Sequence, residues 1–150
     1  MIKNNFIHYL TKVLLEIMFY GGIVIWIVLP FIMPWVMAFT GVSLYLRATY
    51  TAILLSSGAC SIYIVYQLKI MFKTFLGGNP FINENVSCLR KCAVASALIA
   101  LIYLIRLFLW FTFAALVIVT IFSLLSLFSL TVKDLFKQAV FYKEETDWTV

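Results

Sequence analysis

Gly77-Gly78-Asn79-Pro80-Phe81-Ile82-Asn83-Glu84-Asn85-Val86-Ser87-Cys88-Leu89-Arg90-Lys91 is the longest polar, turn-rich interruption in a chain of apolar runs. It divides the 150 residues into halves of similar weight. Gly77 and Gly78 permit backbone angles that other residues avoid, and Pro80 pushes Asn79 out of the helical region. Asn83 or Asn85 then suits the cap of a new helix, with Glu84 near its positive end. The stretch reads as a turn followed by a helix start.

Outward from that turn the composition sets the class. Hydrophobic residues make up 65% of the chain and charged residues 11%, against about 25% charged in a soluble domain. So few charges do not cover a water-facing surface, and the mean hydropathy of +1.08 agrees. A bilayer core takes about 20 apolar residues per helix, so the length suits four spans in one domain over residues 1–150. The expected fold is all-α, a four-helix transmembrane bundle. Cys60, Cys88 and Cys92 have neither zinc nor CxxC spacing, and no cofactor or metal site is expected.

Before the turn lie two runs. The first span is read as residues 13–33, uncleaved, because it is too long for a signal-peptide core and no small-x-small site follows. Pro30 and Pro34 near its far end suggest a broken backbone, and Trp26 and Trp35 suit the interface. Glu16 is its one acid, a possible intramembrane ionisable site; it lies four residues after Lys12, on the same helix face. The second span is read as residues 49–71. Its Ser57 and Ser61 are small residues four apart, the spacing that lets helices approach in lipid.

After the turn, forty residues from Ala93 to Val132 are broken only by Arg106. That length predicts two spans, 92–110 and 113–132, with a turn around Arg106–Thr112. Ala93, Ser96, Ala97 and Ala100 form a small-residue face suited to packing on the second span. Val132, Leu135, Phe136, Ala139 and Val140 continue the helical period, so an amphipathic extension over 132–142 is expected.

Lysine and arginine give the orientation. Lys3, Lys12, Lys69, Lys73, Arg90, Lys91, Lys133, Lys137 and Lys143 fall on one side, and Arg47 and Arg106 on the other. This asymmetry predicts both termini and the central loop in the cytoplasm. The basic residues orient a membrane protein and do not form a nucleic-acid patch.

The central loop and the tail together resemble a family of small bacterial membrane proteins known only as a domain of unknown function. The family's Gly-Asn-Pro-Phe turn with Glu-Asn and Leu-Arg is matched at Gly78, Asn79, Pro80, Phe81, Glu84, Asn85, Leu89 and Arg90. Its Glu-Glu-Asn-Asp-Leu-Thr-Val tail is matched at Glu144, Glu145, Asp147, Thr149 and Val150, with departures at Thr146 and Trp148. The resemblance implies four spans and a location in the cell membrane. It also implies a regulatory partnership, since such proteins are often encoded beside a small helix-turn-helix regulator.

The functional reading is a non-enzymatic regulatory or sensing protein that acts through its inner face. Its suspected motif is Asn79, Pro80, Phe81, Glu84, Asn85, Arg90, Glu144, Glu145 and Asp147. The loop from Lys69 to Lys91 carries +3 and the tail from Glu144 carries −3, so Glu145 or Asp147 is expected to meet Arg90, with Trp148 near Phe81. The partners expected are the bilayer and a helix-turn-helix regulator or another membrane protein. The alternative is a small transporter or a resistance or immunity factor against a membrane-active compound, built on Glu16. Cys88 and Cys92, four apart, are the one feature favouring a thiol enzyme, and the clustered partners that catalysis needs are missing from the sequence.

Overall fold

The computed structural model describes residues 6–39, 41 and 43–149. Lys3 of the charge count and Val150 of the tail lie outside the described residues. Among the described residues four helices follow one another: α1 Phe6–Ala38, α2 Leu44–Leu76, α3 Asn83–Leu109 and α4 Phe113–Trp148. Each is long and apolar enough to cross a membrane. A helix satisfies every backbone group within its own segment, the one solution open to a single apolar run in lipid. The protein is an all-α bundle with the character of a multi-pass membrane protein.

The helices pack in chain order. α3 lies closest along α4, α2 packs on α3, and α1 packs on α2. Among the described residues no other pair of helices brings Cα atoms within 8 Å. The core is therefore off-centre, built from Ile64 of α2, from Cys92, Ala95, Ile99 and Tyr103 of α3, and from Ala115 of α4. α1 contributes no buried residue.

Several expectations change. α1 runs unbroken through Pro30 and Pro34; a proline costs one intrahelical bond, which a transmembrane helix tolerates where its neighbours compensate. Trp26 faces α2, where its indole Nε1 donates to the Leu55 carbonyl at 2.8 Å. Gly58 makes this possible, because a Cβ there would sit 2.9 Å from Trp26 Cδ1. Of the small-residue face of α3, Ala93 meets α4, where Ser126 Oγ donates to its carbonyl at 2.9 Å, and Ala97 is exposed. The α3–α4 turn is confined to residues 110–112, and Arg106 stays helical with its guanidinium 5.1 Å from the Tyr50 ring centre. The last helix outruns its expected end at 142 and reaches Trp148.

Candidate functional site

The glycine- and proline-containing loop joins α2 to α3, and each of its backbone turns has a local cause. Gly77 N–H donates to the Lys73 carbonyl and Gly78 N–H to the Phe75 carbonyl, each at 3.2 Å, closing the end of α2. Gly78 then takes φ of +85°, a left-handed conformation in which glycine carries no Cβ penalty. Ile82, with extended backbone angles, is the residue that precedes α3.

Neither Asn83 nor Asn85 caps that helix. Asn85 sits in its first turn, 1% exposed, and its side chain turns back into the loop. Its Nδ2 donates to the Pro80 carbonyl at 2.6 Å, and the same carbonyl accepts the Ile82 N–H at 3.2 Å. Its Oδ1 faces the Thr74 hydroxyl at 2.9 Å. A carbonyl on one side requires a donor, so the amide orientation is fixed by its neighbours. Thr74 Oγ1 also lies 2.8 Å from the Met71 carbonyl and divides its single proton between two acceptors. Asn85 therefore ties the last turn of α2, the Pro80 turn and the start of α3 into one unit.

The loop is held from outside by α4. Lys143 Nζ donates to Asn79 Oδ1 at 2.6 Å, and the Phe81 and Phe136 rings meet at 5.2 Å between centres. Between them lies a cavity of about 210 Å3 bordered by Phe81, Asn83, Val140, Glu144 and Asp147. Of the suspected motif, Asn79, Phe81, Glu144 and Asp147 come together here, and Pro80 and Asn85 lie behind them. Glu84 is exposed in the first turn of α3 and Glu145 is exposed on α4.

Arg90 does not join them. It opens into a groove shared with Ala59, Cys60 and Tyr63 of α2, and it makes no ion pair with Glu145 or Asp147 within 4.0 Å. The reason is register. Counting outward equally from Phe111 in the α3–α4 turn, Arg90 falls level with Val132, thirteen positions short of Glu145. In a straight helix that is about 20 Å. Because α4 stays helical to Trp148, its acids travel away from Arg90 and do not fold back. Trp148 is likewise not over Phe81; it is 89% exposed.

Residues 42–150 match a family model described as Protein of unknown function (DUF2975). The chain belongs to the DUF2975 family. The match covers α2, α3, α4, the loop and the tail, and leaves α1 outside. No curated protein and no solved structure matches the chain. In this DUF2975 protein, sequence reasoning missed Lys143, Thr74 and Phe136. The tight turn held the signal for Lys143: Asn79 and Lys143 are each thirty-two positions from Phe111.

Glu16 stands apart, at the α1–α2 groove. It is exposed and forms no ion pair with Lys12 within 4.0 Å. Both border one cavity with Lys69 and Lys73 of α2.

Proposed function

We propose that the protein is a non-enzymatic regulatory or sensing protein of the cell membrane, with both termini cytoplasmic, that acts by presenting the docked end of α4 to a partner. The observation that carries this is the continuation of α4 beyond membrane length. Its 36 residues at about 1.5 Å each extend about 54 Å, against about 30 Å of hydrocarbon. The projecting part is pinned to the loop by Lys143 and Asn79. It leaves Phe141, Tyr142 and Trp148 exposed beside Glu144, Glu145 and Asp147. Exposed aromatics on a positioned helix are the usual anchors of a protein interface. The lysine bias supports a cytoplasmic setting. The partner class expected is a small helix-turn-helix regulator, which the family resemblance implies, or another membrane protein.

A transport reading asks for a carboxylate within the bilayer. Glu16 lies one turn from Lys12 and borders a cavity with Lys69 and Lys73, an arrangement that favours headgroup depth.

The test is site-specific photocrosslinking in native membranes from Trp148 and from Phe108, an exposed residue at the opposite end of the bundle. The expected result is one protein captured from Trp148, absent from Phe108, and captured less on Asn79→Ala. Capture that is identical from both positions, or lipid alone from Trp148, overturns the reading.

A further inference from the structure

The start of α1 lies beside the end of α2, with the His8 ring centre 5.9 Å from that of Phe75. There a cavity of about 350 Å3 opens between the two helices, at the small end of the roughly 300–1,000 Å3 range of ligand pockets. Leu15, Tyr66 and Ile70 line it with apolar surface, and four charged residues border it: Lys12 and Glu16 from α1, Lys69 and Lys73 from α2. Each pair is one helical turn apart, so two short charged ladders face each other across the opening.

Two features make this more than a basic end. First, the four charges do not satisfy one another: no ion pair within 4.0 Å joins Glu16 to any of the lysines. Second, Lys69 is held in place, its ammonium 4.6 Å from the Phe19 ring centre and 4.9 Å from that of Tyr20. The cavity has a net charge of +2, an apolar wall, and a position at the boundary where the apolar run of α1 begins and that of α2 ends. An amphiphile with an anionic head fits all three conditions.

We propose that this crevice binds an anionic phospholipid of the adjoining leaflet with a hydroxylated headgroup, of the phosphatidylglycerol kind. The ammonium groups of Lys12, Lys69 and Lys73 donate to its phosphate, as compact charges that need no fixed fork geometry. A headgroup hydroxyl donates to Glu16, which would repel a second anionic group. The acyl chain runs along Leu15, Tyr66 and Ile70. Basic pockets between membrane helices are a recurring means of headgroup recognition. This site is independent of the loop and tail and of the partner proposed for them.

The test uses the purified full chain in mild detergent, offered equal amounts of phosphatidylglycerol, phosphatidylethanolamine and phosphatidylcholine with the same acyl chains, and read by native mass spectrometry. Phosphatidylglycerol should be retained over phosphatidylcholine by about fivefold or more, the scale of one lysine's attraction to an anionic surface. Lys12→Gln with Lys73→Gln should abolish the preference, whereas Lys133→Gln with Lys137→Gln, an equal loss of charge on α4, should retain it. Equal retention of all three lipids, or equal loss in both double variants, overturns the site. Preference for phosphatidylethanolamine overturns the headgroup assignment, and displacement of lipid by millimolar glycerol phosphate overturns the lipid assignment in favour of a soluble anion. A photoactivatable phosphatidylglycerol probes the same crevice on the unaltered chain: labels should map to residues 12–16 and 66–73, and labels spread evenly over all four helices refute the proposal.

Discussion

The ammonium of Lys143 donates to the side-chain oxygen of Asn79 across 2.6 Å and 64 positions of sequence. It is the hydrogen bond by which the loop between α2 and α3 holds the far end of α4. Both partners are exposed, so the contact contributes about 0–1 kcal/mol and governs position more than stability. Asn79→Ala and Lys143→Ala should each leave the melting temperature of the detergent-purified protein within a few degrees of the parent. Each should speed hydrogen exchange over 140–148, and the double variant should exchange no faster than the quicker single one. Additive acceleration would mean that the two side chains act separately.

Asn85 should matter far more. Asn85→Ala leaves the Pro80 carbonyl with one donor and Thr74 without its side-chain partner, at a cost of about 1–3 kcal/mol for buried polar groups. Thr74→Val should cost less, because Met71 already has its helical donor and Asn85 keeps its bond to Pro80. Unfolding in mixed detergent and dodecyl sulfate micelles checks the order of the two.

Gly58 and Trp26 form a matched pair. A Cβ at Gly58 would come 2.9 Å from the indole, and such overpacking costs about 1–3 kcal/mol. Trp26→Phe removes the donor to Leu55 and should cost about 0.5–1.5 kcal/mol. The double variant Gly58→Ala with Trp26→Phe should be less destabilised than the sum, since the smaller ring relieves the clash. Strict additivity in the same unfolding assay would refute the contact.

A proline in place of Gln138 breaks α4 beyond its membrane-length part. The helix interior loses a bond and gains a clash worth about 3 kcal/mol. Limited trypsin digestion should then cut after Lys143 well before it cuts the parent protein. An unchanged digestion pattern would show that the end of α4 is already frayed.

Orientation is open to direct chemistry. With Cys60, Cys88 and Cys92 replaced by serine, a membrane-impermeant maleimide applied to intact cells should label Phe111→Cys and spare Ile82→Cys. Labelling of Ile82→Cys alone would invert the topology.

The helices were legible because bilayer thickness imposes a length that composition reports directly. The α3–α4 turn fell inside the expected window for that reason. Rotation and register were not legible. Alanines at 93, 97 and 100 mark a face suited to close packing, but spacing does not say that Ala93 meets Ser126 of α4 while Ala97 stays exposed. Likewise the opposite charges of loop and tail are real, yet Arg90 and Glu145 are kept apart because α4 runs as one unbroken helix to Trp148. Attraction between exposed charges is too weak to bend a helix that keeps its backbone bonds. Asn85 looked like a cap because capping is the common use of asparagine at a helix start; its burial against Thr74 depends on a tertiary contact that local spacing does not encode.

Packing in strict chain order bears on how such a protein is made. From α2 onward, each helix emerging during synthesis finds a packing partner already present, one connection away. Low sequence separation between contacts speeds assembly and shortens the time that unpaired surfaces are open to wrong associations. A chain truncated after Leu76 should therefore still insert as an α1–α2 pair, whereas one lacking α3 would leave α4 only its contacts with Asn79 and Phe81 of the loop.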